Sequence, residues 1–450
     1  MKQIKNHTKK NILLLKLFFI FFIFSFKFAY SQTLEDSLKI KQVDELLQKM
    51  YETNQFNGSV LLVEKGKIWH HKAYGYANFD TKDTMTIHTP VRLASVSKQF
   101  TAVCILMLVQ DGKLKLDDEI ITYLPELESY KDKKITIRHL LRHQSGLPDY
   151  FGIDYSILHY YKDYPNTLYN KDLLYYFRDI KPKLHFKPGR RVSYSNTGYV
   201  FLALVIERIS KMSYHSFVQK NIFDVLGMKD SFVYAIKNTE TKIKQDTIVL
   251  KTDTIPVSDR EIKVETQLKV VTRFINVDKK RAFGYILSSP NPLGFVPLDY
   301  HKFDGMVGEK GVCVSTNDFL KWDNGIRKNI LVKATLQNEA FIPDDDFGMG
   351  WKIYDNEIAY HHGLYRGFRT YMHRNIFEES MLVILNNTQI GNKIVNIIDG
   401  IDKILAGKKY KFPTLTYAEK QTLEKFKKDY EIKPKITNNP LPLPKKEEQK

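Results

Sequence analysis

Leu93-Ala94-Ser95-Val96-Ser97-Lys98-Gln99-Phe100-Thr101-Ala102 is the stretch on which the reading of this chain turns. Residues 95–110 are strongly apolar with helical spacing and stop at Asp111-Gly112, so the stretch predicts a helix that begins near Ser95. Ser95-Val96-Ser97-Lys98 is the only S-x-x-K in the chain, and a lysine one helical turn after a serine shares its face. Serine is a poor nucleophile until a base takes its proton. A lysine can do so only where desolvation or a neighbouring positive charge leaves part of it as the neutral amine. The start of a helix adds backbone N–H groups and the positive end of its dipole, both suited to a developing oxyanion. A lysine-rich chain can also carry one such motif by chance, so neighbouring elements have to be read with it.

Upstream, residues 35–54 place Leu38, Val43, Leu46, Leu47 and Met50 at helical spacing. A hairpin follows: Gly58 to Val63, a turn at Glu64-Lys65-Gly66-Lys67, then Ile68 to Tyr76. Downstream, Thr136 is placed to cap a short helix through His143, ended by Gly146 and Pro148. Further helices are predicted over about 197–210 and from Ser213 to Leu226-Gly227. Residues 236–280 lose helical periodicity and are rich in Thr, Lys, Asp and β-branched residues, which reads as exposed strands or an insertion loop. Strands return at Phe347 to Tyr354, Ile358 to Tyr360, Phe368 to Met372 and Met381 to Leu385, before a last amphipathic helix at about 392–405. Strands at both ends with helices between them predict an α+β fold: an antiparallel β-sheet flanked by helices, with an inserted, mostly helical lobe.

Two further motifs carry chemistry. Tyr194-Ser195-Asn196 follows the turn signal Lys187-Pro188-Gly189 and immediately precedes a helix. The chain has three other Y-x-N stretches, at Tyr76, Tyr164 and Tyr354, whose strand-end and turn contexts read as structural. His361-His362-Gly363 is the only H-x-G and lies on a predicted strand. A glycine at Gly363 lets another backbone approach closely, as a substrate running along a strand edge requires.

In order and spacing, Ser95…Lys98, Tyr194…Asn196 and His361…Gly363 resemble the serine β-lactamase and penicillin-binding-protein superfamily. The branch is the one with class C β-lactamases, D-alanyl-D-alanine carboxypeptidases and related esterases. Ile137 to Pro148, Phe186-Lys187-Pro188-Gly189, Leu226-Gly227-Met228 and Gly367-Phe368 match in the same order, so the resemblance covers roughly 36–405 apart from much of 236–280. It implies that Ser95 forms an acyl-enzyme and that Lys98 and Tyr194 share proton transfer, with Tyr194 as base to Ser95 and later to water. It implies that Asn196 orients Lys98 and the substrate amide, and that the N–H groups of Ser95 and Leu364 form the oxyanion hole. Relatives of the β-lactamase type carry Lys-Thr-Gly where this chain has His361-His362-Gly363; Arg366 or Arg369 would then supply the missing cation, while a protonated His361, with Lys98, would help Tyr194 to hold a phenolate.

Other candidates read as structure. The aromatic run Tyr150-Phe151 through Tyr155, His159, Tyr160, Tyr161 and Tyr164 falls where the family borders its cleft, and helical-lobe packing explains it better than a substrate pocket does. His139 and His143 have i,i+4 spacing but lack the glutamate of H-E-x-x-H, so no metal is expected. Cys104 reads as core, Cys313 precedes the helix-cap signal Ser315-Thr316-Asn317-Asp318, and two cysteines make no disulfide framework.

Charge sorts the rest. Of the formal +18 over 450 residues, residues 1–31 carry six lysines and no acid, and 408–450 carry 12 lysines against 6 acids. Six charges at each end leave +6 for the body, with no nucleic-acid-binding signature. Residues 1–31 read as a signal peptide, a basic stretch, then Leu17 to Phe24, then Ala29-Tyr30-Ser31 before Gln32. The expected location is periplasmic or secreted; an uncleaved segment from Ile12 to Phe28 would instead anchor the protein in the inner membrane facing the periplasm. Residues 32–407 form the expected hydrolase domain, with 236–280 a polar insertion and 408–450 a basic Pro/Lys-rich tail. The expected substrate is a small molecule or peptide of cell-wall type, with no cofactor and no nucleic-acid partner. Cleavage of a β-lactam, a D-alanyl peptide or a simple ester stays open, as does a catalytically silent relative that binds cell-wall fragments or a partner protein.

Overall fold

Gly58–Glu64 is an almost unbroken apolar run, and all but its last residue is buried. Such a strand belongs at the centre of a sheet covered on both faces. In the computed structural model it pairs on one side with Lys67–Tyr74 and on the other with Met381–Asn386, whose six residues are also buried. The structure describes residues 34–79, 81–153, 167–234, 241–258, 261–276, 281–287, 295–297, 301–389, 393–414, 421 and 436–437. The leader expectation, most of the tail and the aromatic run from 154 to 166 lie outside them.

Among the described residues the main sheet runs, edge to edge, Lys352–Tyr354, Ile358–Tyr365, Phe368–Asn375, Met381–Asn386, Gly58–Glu64, Lys67–Tyr74 and Ile436–Thr437. Every neighbouring pair is antiparallel. The N-terminal hairpin thus completes a C-terminal meander, with Gly58 opposite Asn386 and Val63 opposite Met381. The chain between them carries the helices of the body, together with short strands such as Val91–Arg92 and Val312–Val314, which pair with each other. Thr241–Ser258 and Glu261–Asn276 pair with each other in a separate two-stranded sheet, so the described parts of 236–280 are strands.

Two helices form the centre of that body. Lys98–Gln110 is buried along most of its length, and Asn196–Ser210 is buried from Thr197 to Ile206 except for part of Leu204. A helix apolar on all sides is a core helix. Phe100 stacks on Trp322 at 4.1 Å, while Trp322 Nε1 donates to Gln99 Oε1 at 3.0 Å. Cys104 and Cys313 are both buried free thiols, and Ser315 does cap the helix Thr316–Arg327. No helix among the described residues is long and apolar enough to cross a membrane.

Two expected elements are shorter. The strand from Phe347 reduces to Lys352–Tyr354, because Gly348 N–H turns back to Trp351 O and Gly350 takes φ +83°. The Thr136-capped helix covers only Ile137–Leu141, since His143 adopts φ +58°. Contacts divide the chain into two units, Met1–Thr53 with Val395–Thr414, and Asn54–Ile394 with Leu415–Lys450. In the first, the helix at 34–52 meets the C-terminal helix where a Cβ on Gly400 would lie 2.6 Å from Leu46 Cδ2. The second contains the whole candidate site.

Candidate active site

Ser95 sits in a tight 3₁₀ turn, Ala94–Ser97, that runs directly into the helix Lys98–Gln110. Ala94, just before it, has φ +50°, a left-handed conformation that costs an L-residue about 1–2 kcal/mol. Surrounding bonds hold it there. Leu93 N–H donates to Val312 O at 2.9 Å, Thr370 Oγ1 donates to Leu93 O at 2.7 Å, and Val312 N–H donates to Ser97 Oγ at 3.2 Å. Strain at one residue of an over-determined turn is typical of a preorganised functional position.

Lys98 is fully buried, with Nζ 3.2 Å from Ser95 Oγ, 2.8 Å from Asn196 Oδ1 and 3.0 Å from Glu309 O. Burial brings its pKa down to about 7; Glu309 and Asp149 act in the opposite direction and Lys310 reinforces the fall. The amine also lies 4.8 Å from the ring centre of Tyr194 and 5.5 Å from that of Tyr199. These contacts bring together the S-x-x-K and Y-x-N motifs, 98 residues apart in sequence.

Asn196 is the first residue of its helix, and its amide orientation is fixed by a residue the sequence reading passed over. Asp149 Oδ2 accepts from Asn196 Nδ2 at 2.9 Å and from Asn196 N–H at 2.6 Å, which turns Oδ1 towards Lys98. His143, which lacks a metal-site partner in sequence, serves the motif instead: its Nδ1 accepts from Ser195 N–H at 3.1 Å, and its ring lies 4.5 Å from that of Tyr194. Its place two residues before Ser145-Gly146 was visible, but nothing in sequence showed that it reaches residue 195. Burial, then Lys98 and His361, hold His143 neutral. Tyr194 Oη is buried and forms no hydrogen bond among the described residues. Burial pushes its phenol up, and nearby Ser95 offsets only part of the rise. The phenol therefore stays protonated, which suits a donor better than the base expected from the resemblance.

The third motif closes the site from the sheet. Along Ile358–Tyr365 the residues alternate, so Ala359, His361, Gly363 and Tyr365 are buried while His362 and Leu364 face outwards. A Cβ on Gly363 would lie 2.1 Å from Leu93 O, 2.1 Å from Thr370 Oγ1 and 3.2 Å from Ala94 Cβ. The backbone that requires this glycine is the protein's own Leu93–Ala94 segment leading into Ser95, not a substrate strand as the sequence suggested. His361 stands with its ring 6.0 Å from that of Tyr194, and its Nδ1 is 2.7 Å from His362 O. Burial, followed by the charge of Lys98, takes its pKa down to about 3. His361 is thus neutral, which overturns the expectation of an imidazolium at this position. With Nδ1–H donating to the carbonyl, Nε2 carries a lone pair, buried and without a partner among the described residues. Arg369 does not replace the missing cation, because it pairs across the hairpin with Leu364, on the face away from His361. Arg366 lies in the hairpin turn with φ +43°.

Glu309 and Lys310 went unnoticed in sequence. Both side chains are buried, and Lys310 Nζ donates to Glu309 Oε1 at 2.5 Å. In the aromatic run, Tyr150 is fully buried and donates to the same oxygen at 2.6 Å, so packing and hydrogen bonding account for it.

Comparison with known proteins agrees with this geometry. The family model described as Beta-lactamase matches residues 43–399. Penicillin-binding protein 4* of Bacillus subtilis is 29% identical over 393 residues, covering 83% of this chain and 78% of its own. The crystal structure of a penicillin binding protein from Bacillus halodurans matches with a TM-score of 0.61 at 25% identity, over 80% of this chain and 98% of that one. D-amino acid amidase from Ochrobactrum anthropi matches over 86% and 99% with a TM-score of 0.57; at 20% identity that likeness is one of fold.

Proposed function

The chain belongs to the beta-lactamase family, and from that premise we propose that it is a serine hydrolase acting through an acyl-enzyme at Ser95. One observation carries the reading. Two of the three partners of Lys98 Nζ, the Asn196 amide oxygen and the Glu309 carbonyl, can only accept. A neutral amine has two hydrogens for those acceptors, so its lone pair is left for the Ser95 hydroxyl, 3.2 Å away. With a pKa of about 7, a large part of Lys98 is in that form near neutral pH.

Lys98 takes the Ser95 proton as Oγ bonds to the substrate carbonyl carbon. The carbonyl electron pair moves to oxygen, where the N–H groups of Ser95 and Leu364 receive it. Collapse breaks the bond to the leaving amine or alcohol, which gains the proton held by the Lys98 ammonium, either directly or through the Tyr194 phenol, which Lys98 then reprotonates. Water then attacks the Ser95 ester, gives up a proton to the same base and releases the acid. Asn196 keeps Lys98 in place through both halves.

His361 bears on the substrate. A neutral imidazole presenting a lone pair attracts a donor and offers nothing to a carboxylate. We favour an ester or amide without a carboxylate at this subsite over a β-lactam or a free D-alanyl end. Residues 1–31 read as an export signal, which supports a site of action in the periplasm or outside the cell.

A fluorophosphonate probe should label the wild-type protein and leave Ser95→Ala unlabelled; folded wild-type protein that resists the probe would refute the reading. Among peptide amides matched except for a terminal carboxylate or carboxamide, the carboxamide should show the higher kcat/KM. A preference for the carboxylate would overturn the substrate assignment while leaving the enzyme assignment intact.

A further inference from the structure

The mechanism above leaves unused the two charged side chains of Gly308-Glu309-Lys310-Gly311, which are only 1% and 3% exposed. Lys310 Nζ donates to Glu309 Oε1 at 2.5 Å, to Tyr150 Oη at 3.1 Å and to Met306 O at 3.3 Å. Tyr150 Oη donates to Glu309 Oε1 at 2.6 Å, and Glu309 Oε2 is buried without a partner among the described residues. A buried ion pair is poor evidence for stability, since desolvation cancels much of its attraction and apolar replacements are often as stable. Its location offers another reason for it: Glu309 also supplies, from its main chain, one of the two fixed acceptors of Lys98.

We propose that the Glu309–Lys310 pair is the positioning device of Lys98, holding its amine in register with Ser95 through the Glu309 carbonyl and setting its charge through the opposed carboxylate and ammonium. The proposal rests on Lys98 being the base. Charged and titratable groups reach Lys98 from each element packed around it. They are Glu309 and Lys310 from one loop, Asp149 from a second, Tyr194 and Tyr199 from the loop and helix of the Y-x-N motif, and the neutral rings of His143 and His361. Of these, the Glu309 carboxylate acts most strongly to keep a proton on Lys98, and Lys310 opposes it. Burial works against the carboxylate, but Lys310 and the Tyr150 hydroxyl keep its pKa below the ordinary glutamate value. The two members of the pair therefore pull Lys98 in opposite directions, and removing either should move it in a known sense.

The test is the pH dependence of fluorophosphonate labelling by the full chain. Its rate should rise with pH through a midpoint that reports Lys98. Glu309→Gln keeps an oxygen to accept from Lys310 and Tyr150 but removes the charge, and the midpoint should fall by about one pH unit. Lys310→Met leaves the carboxylate unopposed, and the midpoint should rise by about as much, cutting labelling at neutral pH several-fold with recovery in more alkaline buffer. A merely structural pair predicts instead a loss of rate at every pH with the midpoint unmoved, and that result overturns the proposal. If Lys310→Met does not fold, Glu309→Gln decides alone: an unmoved midpoint in the folded variant refutes it. Wild-type protein that does not label at all would count against the hydrolase reading, a distinct failure.

Discussion

Lowering the pH should destabilise this protein well before its carboxylates titrate, because His361 and His143 are buried and neutral. In the unfolded chain each histidine takes up a proton near pH 6.5, whereas in the folded protein His361 does so only near pH 3. Between those values the unfolded state binds more protons, so stability is complete above about pH 6.5 and is lost progressively as the pH falls. Each such group removes about 1.4 kcal/mol per pH unit, so at pH 4.5 His361 alone should remove about 3 kcal/mol, and His143 adds to the loss in the same direction. That is a large share of the roughly 5–15 kcal/mol typical of folded domains. Trp322 and Trp351 are both buried in the same unit, so their fluorescence during urea unfolding reads the right transition. Unfolding free energies at pH 7.5, 6.5, 5.5 and 4.5 should show the decline, and His361→Gln should follow a shallower line by one proton's share. A wild-type stability flat to pH 4.5, or an equal slope in His361→Gln, would refute neutral burial of this ring.

Two further predictions concern the support of the nucleophile. Gly363→Ala places a methyl against Leu93 O, a backbone atom that cannot rotate away, so the Ala94 turn must shift. Fluorophosphonate labelling should fall by about 10²-fold or more in a protein whose thermal unfolding stays cooperative, since small misplacement of a reacting group is costly; labelling within threefold of wild type would show that the turn yields freely. Asp149→Ala frees the Asn196 amide to rotate and removes a charge that favours a proton on Lys98. Labelling at neutral pH should drop about tenfold, with the acidic midpoint displaced downwards; an upward displacement would contradict the field assigned to Asp149.

Sequence made the fold legible because its two halves use different periods. Gly58–Glu64 and Met381–Asn386 are short apolar runs beside turn signals, and the intervening helices bury nearly all their faces. The errors lie where backbone conformation depends on a distant partner. His143 ends its helix early while its side chain accepts from Ser195, and Gly350 breaks a strand beneath Lys98, whose carbonyl lies 2.8 Å from where its Cβ would be. The three motifs picked out side chains that the fold brings together, since a serine and a lysine one helical turn apart are visible as local spacing.

What spacing does not carry is the medium in which those groups sit. Gly308-Glu309-Lys310-Gly311 has the composition of an exposed turn, and a charged pair between glycines gives no sign of burial. Its Lys310–Glu309 bond is nonetheless enclosed, as is Arg92 with Asp304 at 2.8 Å, whose carboxylate also accepts from Tyr365. Lys310 lies 5.4 Å from the Tyr365 ring centre, so two ion pairs and two tyrosines adjoin beneath the strand that carries Gly363 and Leu364. The state of His361 is hidden from sequence for the same reason: as a residue type it is a switch near neutral pH, and only its enclosure beside Lys98 removes the charge. A site that keeps Lys98 poised to lose a proton has to exclude water and further unpaired positive charge from its surroundings. A protonated His361 would disfavour the charged form of Lys98 further, whereas a neutral one leaves the balance to Glu309, Asp149 and Lys310. Under the proposed mechanism, the histidine at the third motif and the buried pair at 309–310 act together, as two parts of one arrangement that sets the charge of Lys98.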